Sequence, residues 1–121
     1  GFNRDVDGAI LRAGELAGEA QALIEDLAEE LFVRCRGSHE GGGGGVILET
    51  APLVGQREIL VCEVLRHAWR VAGFAEQAMT QSWWRSLAQF AQSPGAGGVL
   101  NLPGNVRATR PAPGVLALAA V

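Results

Sequence analysis

The segment 57–72, REILVCEVLRHAWRVA, constrains the fold more than any other part of the chain. At 3.6 residues per turn, a helix over this segment has one apolar side and one charged side. Arg66 and Arg70 lie four residues apart on the charged side, so their guanidinium groups follow each other one turn apart. We therefore predict a central helix that covers a core and offers arginine to a partner. Its apolar positions are Val61, Val64, Leu65, Ala68, Trp69 and Ala72.

A long helix is predicted ahead of the central one. Apolar residues recur at spacings of three and four from Val6 to Leu31, a heptad-like stripe with acidic residues behind it. Asn3 is a suitable N-cap, and Gly37 follows the basic residues that favour a helix C-terminus. A long helix with a narrow apolar stripe usually packs on another body. We predict that residues 1–36 form a connector from an N-terminal catalytic domain outside this sequence.

The rest of the chain predicts a small mixed unit. Residues 37–45 are rich in glycine and predict a flexible loop, and the run 46–50, VILET, predicts a strand. Thr80 is a good N-cap for a third helix, and the tail has three short strand-like segments separated by Pro-Gly turns. The predicted fold class is α+β: a long N-terminal helix, then a two-layer unit of a strand, two helices and an antiparallel β-meander over 46–121.

Charge is divided unevenly along the chain, although the net value is only −3. Residues 1–50 hold ten acids and four arginines, whereas residues 51–121 hold three acids and six arginines. All ten cations are arginine, whose planar fork suits phosphate and stacks on bases. A GC-rich coding sequence would explain arginine in place of lysine, but it would not explain why charge is divided unevenly between the two halves of the chain. The C-terminal arginines are either an ordinary solvated surface or a nucleic-acid contact.

Other candidate sites have weaker support. Cys35, His39, Cys62 and His67 could be zinc ligands, but Cys62 and His67 are five residues apart on a helix and point in different directions. No nucleophile accompanies His67, and the glycine run lacks the lysine of a phosphate loop. We predict no catalytic residue and no metal site in this chain.

The adjacent tryptophans and the cysteines allow two further expectations. One of Trp83 and Trp84 is expected in the core, and the other is available to stack on a base or cover a partner. Two cysteines do not make a disulfide framework, so a reducing compartment, the cytoplasm, is predicted. No apolar run approaches the roughly 20 residues needed to cross a bilayer.

Three segments together resemble the accessory region of bacterial tRNA(Ile)-lysidine synthetases. Residues 2–6, FNRDV, look like the family's Y-N-P-x-V entry to a long helix, although Arg4 replaces the proline. Residues 56–69 look like its Q-R-R-x-L-R-x-x-L-R helix. Residues 100–110, LNLPGNVRATR, look like its L-x-L-P-G-G-x-R-x-R hairpin, in which Asn105 replaces the second glycine. Asparagine also tolerates a positive φ, so the turn stays plausible.

This resemblance implies a role in tRNA recognition. The family's full enzyme uses ATP, with Mg²⁺, to activate the wobble cytidine of an isoleucine tRNA and attach lysine to it. Its ATP-binding Ser-Gly-Gly-x-Asp-Ser loop has no counterpart here, so these residues are expected to bind tRNA without catalysing the ligation. The predicted phosphate contacts are Arg66 and Arg70, followed by Arg57, Arg107 and Arg110. The alternatives are a protein-interaction or homodimerisation module, and a small metal-dependent enzyme.

Overall fold

The structure is a computed structural model that describes residues 6–36 and 45–121, with side chains from residue 18 onward. The described elements are α1 (Val6–Arg36), β1 (Gly45–Glu49), a 3-10 turn (Ala51–Leu53), α2 (Glu58–Val71), α3 (Gln81–Gln92), β2 (Val99–Leu102), β3 (Val106–Thr109) and β4 (Val115–Ala120). The α+β prediction is confirmed. The predicted Asn3 cap, the FNRD motif and most of the glycine-rich loop lie outside the described residues, while Gly45 belongs to β1.

The four strands form one antiparallel sheet in the order β1-β4-β3-β2. Alternate residues point to opposite faces because a strand has a side-chain period of two. Leu48, Leu116 and Ala108 are buried on the inner face, which the helices cover, whereas Ile47 and Val99 are exposed on the outer face. The result is a two-layer arrangement, with helices on one side of the sheet.

The turn between β2 and β3 has the backbone that the sequence predicts. Gly104 and Asn105 both have positive φ, at 83° and 60°, and Leu102 pairs with Val106 across the hairpin. Asn105 is also the only non-glycine residue with positive φ in the described part of the chain. Its carbonyl accepts a hydrogen bond from the Val121 N–H at 2.8 Å, which fixes the end of the sheet.

Helix α2 lies at the centre of the helical layer, as predicted. All of its predicted apolar positions from Val61 to Trp69 are buried, and Ala72 at its C-cap is partly buried. Trp69 is fully buried and donates its indole N–H to the Ala75 carbonyl at 2.9 Å. Its ring meets the rings of Phe74 and Trp84 edge to face, each at 5.3 Å between centroids.

The packing of α1 differs from the predicted stripe. The helix itself is confirmed, and Leu31 of the predicted stripe is buried. The other buried side chains, Ala28, Phe32 and Cys35, lie near the C-terminal end of the helix but outside that stripe. Leu27, a member of the predicted stripe, is 41% exposed, because α1 turns a neighbouring face towards α2. Although α1 has 31 residues, neither it nor any other described helix has an apolar stretch that could cross a bilayer.

Thr80 begins α3 in the manner expected of an N-cap residue. Its hydroxyl accepts a hydrogen bond from the Trp83 backbone N–H at 3.4 Å, which satisfies a donor that has no partner within the helix. We expect Thr80→Ala to lower the free energy of unfolding by about 1 kcal/mol in urea titrations. Ser82→Ala, at an exposed position inside the same helix, is the control and should change it by less than about 0.5 kcal/mol. Equal losses in the two variants would contradict a capping role.

Candidate nucleic-acid interface

Arg70 lies in an acidic environment at the C-terminal end of α2. Its Nε donates to Oε2 of Glu76 at 2.9 Å and its Nη2 to Oε1 of the same carboxylate at 3.4 Å. This hydrogen-bonded pair raises the pKa of Arg70. Arg70 also lines a cleft of about 250 Å³ between α1 and α2, together with Glu25, Asp26, Ala28, Glu29, Glu63 and His67. Arg70 therefore has several carboxylates near it, while 56% of its side chain remains exposed.

Arg66 is held between α2 and α3. Its Nη1 donates to Oε1 of Glu63 at 3.1 Å, and its guanidinium carbon lies 5.2 Å from the centre of the Trp84 ring. The side chain keeps 25% of its surface exposed. One face of the guanidinium thus covers the core tryptophan, and part of its edge remains at the surface.

Arg85 reaches the N-terminal end of α2, which begins after Arg57. Arg57 is the exposed N-cap residue of that helix. Its neighbour Glu58 accepts a hydrogen bond at 2.7 Å from Nε of Arg85, which comes from α3. Arg85 was not among the predicted contacts. The two partners are 27 residues apart, so no local spacing in the sequence indicates that they meet.

Arg107 is on the outer face of the sheet, away from the helical layer. It lies opposite Asn101 in the β2–β3 ladder and donates its Nε to the Asn101 Oδ1 at 3.2 Å. The side chain is exposed. Arg107 is therefore available to a partner, but on the opposite side of the sheet from Arg57, Arg66 and Arg70.

Arg110 is buried, and its predicted phosphate contact must be corrected. It is 5% exposed and lies on the inner side of the sheet, as the alternation from Val106 requires. Its guanidinium donates to the backbone carbonyls of Ser93, Pro94 and Gly95, directly after α3. Its own carbonyl accepts from the Gly97 N–H at 2.7 Å. Arg110 therefore holds the loop after α3 in place, and its guanidinium is not available to a ligand.

The five predicted arginines thus occupy three different places. The helical layer carries Arg57, Arg66 and Arg70, the outer sheet face carries Arg107, and the core contains Arg110. Arg66 and Arg70 both lie on α2, but their guanidinium groups have different surroundings. Arg70 faces the acidic cleft, whereas Arg66 faces α3.

The other candidate residues, the described histidine, the two cysteines and the tryptophan pair, are buried or packed against neighbouring side chains. His67 packs its ring against Phe32 at 4.7 Å between centroids, and Cys35 and Cys62 are buried. Within residues 6–36 and 45–121, no group of His, Cys, Asp and Glu is arranged to hold a metal ion. His39 lies outside the described residues. Of the tryptophan pair, Trp84 is the core member and Trp83 is partly buried at the surface, in agreement with the expectation that the two would differ.

Burial controls the chemistry of both thiols. It raises the pKa of Cys35 from 9.0 to about 11, with Arg34 acting to lower it and Glu49 to raise it. Burial is also the main reason that the pKa of Cys62 is raised. A neutral, buried thiol is a poor nucleophile.

We expect both thiols to resist alkylation in the folded protein. Iodoacetamide at pH 8 should modify neither Cys35 nor Cys62 under native conditions, because each is buried and protonated. Both should react in urea, where the pKa values return to those of exposed thiols, and intact mass would report the number of adducts. Rapid modification of native Cys35 would contradict the packing of α1 against the sheet.

Comparison with known proteins assigns no family to this geometry. No protein-family model matches the chain, and no curated protein matches it either.

Proposed function

We propose that this chain is the tRNA-binding accessory region of a tRNA(Ile)-lysidine synthetase that acts in the cytoplasm. The observation that carries the proposal is the β2–β3 hairpin. Gly104 and Asn105 have positive φ at the two positions where the family's hairpin motif has glycines, and Arg107 follows at the position of a motif arginine. The backbone of this hairpin thus supports the resemblance found in the sequence.

The order of elements supports the same proposal. Helix α2 covers the segment that looks like the family's arginine-rich helix, and α1 covers the segment after the family's helix entry. In this proposal α1 connects the unit to an N-terminal catalytic domain. That domain would bind ATP and Mg²⁺ and perform the ligation of lysine, and the residues described here would only hold the tRNA.

Arginine forks at the surface are the groups suited to this task. A guanidinium can donate two parallel hydrogen bonds to a phosphate, and such contacts position a nucleic acid without reading its sequence. Arg57 and Arg107 are exposed, and Arg66 retains an exposed edge. Arg110 takes no part, because its fork is used by backbone carbonyls.

Competition binding tests the proposal. The chain is mixed with a fluorescent transcript of an isoleucine tRNA, and heparin or a DNA duplex of equal charge is added as competitor. We expect the tRNA to be retained at competitor concentrations that would displace a purely electrostatic ligand. Displacement of the tRNA in proportion to competitor charge alone, or no binding at low salt, would contradict the proposal.

A protein-interaction or homodimerisation module is the second candidate. It is favoured by the exposed apolar side chains of α1, where Leu23 is 59% and Leu27 is 41% exposed, one turn apart. Sedimentation at increasing concentration separates the two candidates. Association that Leu23→Glu abolishes, without any tRNA binding, would favour the second candidate over the first.

A further inference from the structure

Two sides of α2 differ in charge. Around Arg70 there are five carboxylates within the cleft and its ion pair: Glu25, Asp26, Glu29, Glu63 and Glu76. On the side of α2 that faces α3, at its N-cap and along α3, there are three arginines, Arg66, Arg57 and Arg85, with only Glu58 and Glu63 paired to them. A phosphate chain is repelled at the first side and attracted at the second.

Contacts between α2 and α3 bring Arg66 and Arg85 close to each other, and Arg57 is the N-cap residue of the same α2 helix. Arg85 reaches across to Glu58, the residue directly after Arg57, at 2.7 Å. Arg66 covers the ring of Trp84, the residue directly before Arg85, at 5.2 Å. Cys62 lies one turn after Glu58 on α2, near the same groups. Arg66 and Arg85 both act to lower the pKa of its thiol, against the effect of burial.

We propose that the α2/α3 arginine surface, formed by Arg57, Arg66 and Arg85, is where the chain contacts the sugar-phosphate backbone of RNA. This inference rests on the proposed tRNA-binding function and assigns it to one surface. It adds Arg85, which is one of the six C-terminal arginines but not one of the five predicted phosphate contacts, and it excludes Arg70. The outer sheet face, with Arg107, is not part of this surface.

The exposure of these side chains suits a contact with a long polyanion. Arg85 is 63% exposed and Glu58 is 45% exposed, so their ion pair is solvated and weak, and a phosphate can displace the carboxylate. Arginine binds phosphate bidentately and releases condensed counterions when it does so. Two nitrogen atoms of Arg70 donate hydrogen bonds to Glu76, and four further carboxylates line the adjacent cleft. An incoming phosphate would therefore meet net negative charge there.

Three variants of the chain test the assignment, with fluorescence anisotropy of a labelled isoleucine tRNA transcript as the measurement, from about 50 to 200 mM salt. The double variant Arg57→Gln/Arg85→Gln should weaken binding about tenfold or more at the lowest salt and reduce the salt slope by about 2. Arg70→Gln is the matched control and should stay within about twofold of the unmodified chain. Glu58→Gln should tighten binding about threefold, since it removes the carboxylate that occupies Arg85.

The outcomes separate the surface from the function. If the unmodified chain binds tRNA but Arg70→Gln loses as much affinity as the double variant, the α2/α3 surface is wrong and the proposed function stands. If the double variant binds as tightly as the unmodified chain, the surface is wrong as well. If the unmodified chain does not bind, both proposals are overturned. Thermal unfolding of each variant confirms that the fold is intact, since all the substituted positions are at the surface.

Discussion

Replacing Trp69 with alanine is expected to lower the free energy of unfolding by about 4 to 5 kcal/mol, enough to unfold much of a marginally stable domain. Trp69 is fully buried where α2 meets α3, and its ring contacts Phe74 and Trp84. The substitution would leave a large cavity that the surrounding helices cannot fill. It would also leave the Ala75 carbonyl without the hydrogen bond that it accepts from the indole N–H at 2.9 Å. Urea unfolding followed by far-UV circular dichroism measures the loss.

Two further variants separate these contributions. Trp69→Phe keeps an aromatic ring but removes the indole donor, and we expect a loss of about 2 kcal/mol. Trp83→Ala changes the neighbouring tryptophan of the pair on α3, which is only partly buried, and should cost less than half as much as Trp69→Ala. Similar losses for Trp83→Ala and Trp69→Ala would contradict the central position of Trp69.

Replacing Arg110 with alanine is expected to cost about 3 kcal/mol, although arginine is usually a surface residue. Its guanidinium donates to three successive carbonyls after α3, where the C-terminal end of the helix dipole also favours positive charge. It lies 6.0 Å from the centre of the Phe90 ring. Removal of the side chain would release the loop after α3 and open a gap beneath it. The unfolding midpoint in urea should fall accordingly.

Arg107→Ala is the matched control for Arg110→Ala. The two arginines lie three residues apart, at β3 and just after it, and on opposite faces of the sheet. Because Arg107 is exposed, its loss should change stability by less than about 0.5 kcal/mol. Arg110→Lys should be intermediate, since an ammonium retains the charge but lacks the planar fork. Equal effects of Arg107→Ala and Arg110→Ala would contradict the structural role of Arg110.

The periodic parts of the fold could be predicted from the sequence. The apolar side of α2, the Thr80 cap and the alternation of the C-terminal strands are local patterns, and each is set by the helical or strand period. The positive φ of Asn105 also follows from local turn chemistry. These features need no knowledge of which elements become neighbours.

The candidate site could be predicted only in part, because its geometry depends on contacts between distant segments. The alternation that places Arg110 with Val106 and Ala108 was visible in the sequence, but the carbonyls that occupy its fork belong to a loop 15 to 17 residues earlier. The acids that surround Arg70 come mainly from α1, and the pairing of Arg85 with Glu58 joins two helices. Charge along the chain predicted a basic half but not which arginines share a surface.

Local sequence pattern also does not predict which face of α1 packs against the rest of the fold. The stripe from Val6 predicts a helix correctly, but the rotation of the helix about its axis is set by α2 and β1. That rotation buries Ala28 and Phe32 and leaves Leu27 exposed. A period of three and four residues is compatible with either orientation, so only the packing partner decides between them.

The most direct test of the proposed tRNA-binding function is the salt dependence of tRNA binding by the unmodified chain. The three arginines of the α2/α3 surface predict a line of slope about −2.5 when the logarithm of the binding constant is plotted against the logarithm of salt concentration. A slope between about −2 and −3 would agree with phosphate contacts by this small set of arginines. Absence of binding at the lowest salt, or binding that does not change with salt, would contradict the account.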